Sequence, residues 1–257
     1  MDLTDNTAEA GFREVVKGFI AEHGDKGRMG GGRGSGEESG WSSDARERMK
    51  GWREALVDRG WIAPAWPKEF GGAGLSVKEQ FIFNEELAEA GLMNVGGVGV
   101  MMLGPTLMVH GTDEQKAEIL PKILAGEVVW CQGWSEPGAG SDLASLQTRA
   151  ARDGDEYVLN GQKIWTTGAQ HATRMYMLAR TDPDAPKHRG ISMLMLNMDD
   201  PGVSVRPLTT MANQQTFNEV FFEDVRVPVK NRIGEENRGW YAGMTLTDFE
   251  RSGLGNS

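Results

Sequence analysis

Apolar residues recur at helical spacing through the first half of the chain and in short alternating runs through the second, with the change near Gly126. Phe12, Val15, Val16, Phe19 and Ile20 mark one helical face, with charges between them. Met49, Trp52 and Leu56 mark a second, behind N-cap candidates in Trp41-Ser42-Ser43-Asp44. Between these faces, Gly24–Gly40 is rich in glycine and charge and is expected to be a loop. Trp61–Leu75 holds Pro64, Pro67, Gly71, Gly72 and Gly74 and reads as irregular. Ser76 with Glu79 forms a capping box before a helix over Phe81–Ala90, and Thr112 with Gln115 forms another before Ile119, Leu120, Ile123 and Leu124. Gly96–Val109 is apolar and predicts a buried helix, with Met101, Met102 and Met108 filling the core.

Beyond Gly126, β-branched and aromatic runs alternate with turn signals. Tyr157-Val158-Leu159 and Gln162-Lys163-Ile164-Trp165 flank Asn160-Gly161, a hairpin signature. Met175–Ala179, Ile191–Leu196, Val203–Arg206 and Val220–Phe222 read as further strands, and Trp240, Met244 and Phe249 return to helical spacing. The expectation is an α+β chain: an all-α domain over 1–127, a β domain over 128–233, and the start of another helical region over 234–257.

Charge narrows the possible partners. With 27 basic and 37 acidic residues the net charge is −10, which disfavours nonspecific nucleic-acid binding. No apolar run approaches the roughly 20 residues of a membrane span, and the acidic N-terminus lacks a secretory core. Cys131 is the only cysteine, which excludes an internal disulfide and fits a reducing compartment. A soluble cytoplasmic protein is the expectation.

Two segments carry candidate chemistry. Gln132-Gly133-Trp134-Ser135-Glu136-Pro137-Gly138-Ala139-Gly140-Ser141-Asp142 reads as a small-residue loop leaving a strand. Gly138 and Gly140 permit close backbone approach to a ligand, and Ser135 and Ser141 add hydroxyls. It is neither a Walker loop, because no Gly-Lys-Ser/Thr follows, nor a Rossmann fingerprint. A plain surface turn is the alternative. The second segment, Asn160–Ala169, brings Trp165, Thr166 and Thr167 to a strand end, where an indole can stack on a planar cofactor and hydroxyls can bond its heteroatoms. Taken alone, Trp165 is more readily a core aromatic. His110 reads as a helix-end structural residue, His23, His171 and His188 have no metal-ligand spacing, and Cys131 reads as a small buried residue.

Together these segments resemble the acyl-CoA dehydrogenase family. The matching pieces run in family order through Asn84–Ala88, Gly104-Pro105, His110–Lys116, Ser135–Asp142, Asn160–Thr167, Arg189–Ser192, Phe217–Phe222 and Val225–Pro228. The resemblance implies a helical N-terminal domain, a β-barrel-like middle domain and a C-terminal helical domain, with FAD between the last two. The chain is expected to stop soon after the third begins. By the same resemblance Gln132, Trp134 and Ser135 line the flavin, and Ser141 contacts FAD phosphate or the thioester arm. Trp165 covers the ring, and Thr167 bonds its N5, with Thr166 between them. Ser135 stands where members often have Thr, and Trp134 where they often have a smaller residue.

The implied reaction is α,β-dehydrogenation of an acyl-CoA thioester to a trans-2-enoyl-CoA, as in fatty acid and lipid metabolism. Electrons pass to an electron-transfer flavoprotein, in a homotetramer or hetero-oligomer. An acyl-CoA oxidase or flavin monooxygenase of the same fold, and a non-catalytic partner subunit or inactive fragment, stay open. Removing the α proton needs a partly desolvated carboxylate. Most members take it from the C-terminal domain, but a minority of isovaleryl-CoA dehydrogenase type place a Glu on the helix opening that domain. Glu250 matches that position, and Asp248 and Arg251 match substrate-binding positions. The alternative is a solvated helix face.

Overall fold

The structure, a computed structural model, describes residues 5–28, 43–92 and 94–253. These form helices α1 (Thr7–Gly27), α2 (Ser43–Asp58), α3 (Val77–Glu89), α4 (Gly104–His110), α5 (Asp113–Ala125) and α6 (Gly239–Gly253). The strands are β1 (Trp130–Gly133), β2 (Arg149–Asp153), β3 (Glu156–Thr167), β4 (Arg174–Arg180), β5 (Ile191–Asn197), β6 (Val203–Leu208), β7 (Phe217–Pro228) and β8 (Arg232–Ile233). A helical region, then a β-sheet domain, then one helix is the α+β order expected. The chain divides into two compact units, one ending at Val100 and one running from Met101 to Ser252.

In the first unit, Asn6 and Glu9 form a capping box that starts α1. The helix continues through Gly24 to Gly27, over residues expected to form a loop. A Cβ on Gly27, the last residue of α1, would come within 2.8 Å of the Trp52 ring and 2.9 Å of Leu92, so this glycine permits close packing there. Residues 29–40 of that stretch, with Trp41 and Ser42, lie outside the described residues; Ser43 and Asp44 lie within α2. Phe19 meets Trp61 edge-on at 4.8 Å, and Val16, Trp52, Leu56, Ile62 and Phe83 are buried with them. Ser76 and Glu79 cap α3 as their spacing predicts.

A π-helical turn, Gly99–Leu103, precedes α4. It departs from the α period, so the methionines do not all point inward: Met101 is 50% exposed, while Met102 and Met108 are half-buried. Thr112 and Gln115 cap α5. The Gln115 amide also donates to the carbonyls of Lys230 (2.7 Å) and Arg232 (2.8 Å), which ties the start of α5 to the end of the sheet.

The sheet runs β6-β7-β3-β2-β4-β5-β8, with β1 parallel to β4. Tyr157, Leu159, Met175, Met177, Leu194, Val220 and Val225 form its core. The expected hairpin at Asn160-Gly161 is absent. β3 is one continuous strand through both residues, and the turn falls instead between Asp153 and Glu156, where Gly154 has φ 60. Tertiary packing explains the Asn-Gly pair. Gly161 has φ 149, and a Cβ there would lie 2.7 Å from Cα of Thr148. Asn160 sits opposite a bulge in β7, donating to Asp224 Oδ1 at 2.9 Å and accepting from the Asp224 N–H at 3.1 Å.

Candidate functional site

β1 delivers the glycine-containing loop. Gln132 pairs in register with Tyr176 of β4, and the Tyr176 hydroxyl donates to Gln132 Oε1 at 2.9 Å. Glu136 and Ala139 then exchange two backbone hydrogen bonds, at 2.9 and 3.0 Å, closing a tight turn with Pro137 and Gly138 at its tip. Pro137, Gly138, Gly140, Ser141 and Asp142 are exposed, and among the described residues beyond each glycine's own neighbours no atom lies within 4 Å of a Cβ built on Gly138 or Gly140.

The second segment reaches the same place through a bulge. Lys163 pairs with Val220 and Thr166 with Asn218, so Ile164 and Trp165 together oppose Glu219. Trp165 takes the left-handed conformation, φ 61, and is 60% exposed, touching Phe217 edge-on at 6.1 Å. A non-glycine residue in that conformation is strained, and a bulge re-aims its side chain. The core-aromatic alternative for Trp165 is therefore corrected. Thr167 is exposed. Thr166 is buried at 1% exposure, and its hydroxyl has no hydrogen-bond partner among the described residues.

The loop and the bulge are joined directly. The Ile164 N–H donates to the Ser135 carbonyl at 2.9 Å. One residue on either side, the fully buried Lys163 ammonium lies 2.7 Å from Glu136 Oε1 and donates to the Trp134 carbonyl at 3.1 Å. Glu136 accepts two further bonds, from the N–H groups of Gln147 (2.6 Å) and Thr148 (3.0 Å). Burial raises the Glu136 carboxyl, but the Lys163 charge and these hydrogen bonds outweigh it and hold it below its ordinary range. Burial pulls Lys163 down to about 8 despite its partner. Sequence reading misses this pair, although Lys163 lies between residues it singles out.

Trp134, expected to line a flavin, packs against α6 in this structure. It is 7% exposed, and a Cβ on Gly243 of α6 would come within 2.6 Å of its ring. The indole thus seats α6, which carries Asp248, Glu250 and Arg251. Asp248 and Arg251 are exposed and Glu250 is half-buried. His110, at the end of α4, bonds the Thr245 hydroxyl at 2.9 Å, and burial lowers its pKa. Cys131 is buried, and desolvation pushes its thiol up to about 12, far from nucleophile behaviour.

Arg180, also missed, shapes the far end of the loop. Its guanidinium donates to the carbonyls of Ala144 (2.7 Å), Leu146 (3.3 Å) and Lys187. Lys187 in turn pairs with Asp142 at 2.6 Å. Among the described residues no group of His, Cys, Asp or Glu could hold a metal, and no helix is long and apolar enough to cross a membrane.

An exposed indole, the hydroxyls of Ser135 and Thr167, the Gln132 amide and open glycine backbone are groups able to stack on or hydrogen-bond a flat heteroaromatic molecule. Helices followed by a sheet make this an α+β chain. Two family descriptions match it: "Acyl-CoA dehydrogenase, N-terminal domain" over residues 37–127 and "Acyl-CoA dehydrogenase, middle domain" over 131–225. The chain belongs to the acyl-CoA dehydrogenase family and carries these two domains. It is 40% identical to the acyl-CoA dehydrogenase IpdE1 of Mycobacterium tuberculosis, over 93% of this chain and 62% of that protein. It is 48% identical to FadE26 of the same organism, over 79% of this chain and 52% of that protein. Among solved structures, the Tcur3481-Tcur3483 steroid ACAD superposes with a TM-score of 0.81 at 41% identity, covering all of this chain and 64% of that one. The ChsE4-ChsE5 complex from Mycobacterium tuberculosis superposes with a TM-score of 0.75 at 38% identity, over 97% and 61%. The chain thus spans between 52% and 64% of the length of these relatives.

Proposed function

We propose that this chain supplies the flavin-facing middle domain of an FAD-dependent acyl-CoA dehydrogenase that converts an acyl-CoA thioester to its trans-2-enoyl form. The observation that carries this reading is Trp165, an exposed aromatic held in a strained bulge and joined through Ile164 to the Ser135 loop. Bound there, FAD would accept the hydride leaving the acyl β-carbon. Trp165 covers the ring, Thr167 and Ser135 bond its polar edge, and the open backbone at Gly138–Ser141 receives phosphate or the thioester arm. Glu250, half-buried on α6, takes the α proton on its carboxylate, with Asp248 and Arg251 holding the CoA portion. The Thr167 and Ser135 hydroxyls stay fixed while charge moves, so their orientation does not have to be recreated during the reaction.

Two relatives with two-chain names, one of them described as a steroid ACAD, support two refinements: the substrate is a steroid-bearing CoA thioester, and the chain works beside a second subunit. An electron-transfer flavoprotein is the expected acceptor.

The test is anaerobic addition of a steroid acyl-CoA to the flavin-loaded protein, alone and with a candidate partner chain. Bleaching of the flavin band supports dehydrogenation, and fast reoxidation in air would favour the oxidase reading. Flavin binding without bleaching in either sample would leave a non-catalytic partner subunit. If bleaching occurs, Glu250→Gln abolishes it while leaving flavin bound; retained bleaching would move the base to another carboxylate.

A further inference from the structure

Gln132 has a fixed polarity. Tyr176 is fully buried on β4, and burial, with Cys131 and Glu250 adding to it, raises its phenol well above the ordinary value, so the hydroxyl keeps its proton. That proton has two acceptors in reach: Gln132 Oε1 at 2.9 Å and Met102 Sδ at 3.5 Å. A thioether is a weak acceptor, and the amide oxygen is both nearer and stronger. The Gln132 oxygen is therefore committed inward. Its NH2 group makes no hydrogen bond among the described residues, and Gln132 is only half-buried. The terminal torsion of glutamine is soft and roughly two-fold, so without Tyr176 the amide is free to present either end.

We propose that Tyr176 is a positioning residue: by holding Gln132 Oε1 it makes Gln132 a hydrogen-bond donor to an acceptor atom of the bound flavin. The inference rests on the flavin reading above. An amide fixed as a donor favours an acceptor edge that gains negative charge on reduction, whereas a freely turning amide favours neither state.

FAD itself is the probe, titrated into the full chain and followed by fluorescence and the visible band. Tyr176→Phe is expected to weaken FAD binding about threefold to tenfold, the value of one neutral hydrogen bond, and to shift the flavin band. In a Gln132→Leu background the same change is expected to do nothing. An equal loss in both backgrounds marks a merely structural role and overturns the proposal, as does an unchanged affinity in Tyr176→Phe. A wild-type chain that binds no FAD overturns the flavin reading first and the proposal with it. Should Tyr176→Phe not fold, the side-chain NH2 resonances of Gln132 in labelled wild-type protein decide: a shift on FAD addition supports donation, and no shift contradicts it.

Discussion

Lys163 Nζ lies 2.7 Å from Glu136 Oε1 with the lysine fully buried, so a strand and a loop that meet at the candidate site are joined by an ion pair withdrawn from water. Lys163→Met would leave the Glu136 carboxylate buried without its counter-charge. Stranding a buried charge costs about 3–5 kcal/mol. Urea unfolding of the variant is expected to show that loss, and a change under about 1 kcal/mol would mean that the pair carries no structural weight.

The same pair sets an acid limit. The folded Glu136 carboxyl binds its proton more weakly than its ordinary value of 4.5. As pH falls past 4.5 the unfolded chain protonates first, so the stabilisation present above that value is progressively lost. Glu136→Gln removes this titration. Unfolding free energy measured between pH 7 and pH 3 is expected to fall less steeply in the variant than in the wild type; parallel curves would contradict the assignment.

Trp134 and Trp165 are expected to behave oppositely. Trp134 is buried, so Trp134→Ala opens a cavity and costs about 3–5 kcal/mol. Trp165 is exposed with φ 61, so Trp165→Gly relieves left-handed strain worth about 1–2 kcal/mol and leaves stability unchanged or higher. Chemical melts of both variants check this, and a loss above about 2 kcal/mol for Trp165→Gly would return that ring to the core.

Gly243 is where α6 meets Trp134, and an added Cβ would fall 2.6 Å from the ring. Gly243→Ala is expected to overpack this contact and cost about 1–3 kcal/mol. In a Trp134→Phe background, thermal melts should show a smaller loss, because the atoms that clash are absent. An equal loss in both backgrounds would place the strain elsewhere.

What can be read from the sequence follows the range of the interaction. Ser76 with Glu79 and Thr112 with Gln115 mark helix starts because a capping box closes within one turn. The strands at Met175–Ala179 and Ile191–Leu196 are legible because their apolar runs are. Asn160-Gly161 misleads because its glycine answers to Thr148, across a neighbouring crossing of the chain, and not to a local turn. The same holds for Gly27 against Trp52. The exposure of Trp165 depends on the register of β3 against β7, which no local pattern encodes. Motif resemblance singles out Trp165, Ser135 and Gln132, whereas Lys163, Glu136, Arg180 and Tyr176 emerge only when the strands are side by side.

The central claim is that the Gln132–Asp142 loop and the Trp165 bulge bind one flavin together. Its most direct measurement is an FAD titration of the full chain and of Trp165→Gly, followed by quenching of flavin fluorescence. The account predicts saturable binding by the wild type, and an affinity lower by about tenfold, or about 1.4 kcal/mol, in a variant that remains folded. Equal affinity in the two proteins, or no saturable binding by the wild type, would contradict it.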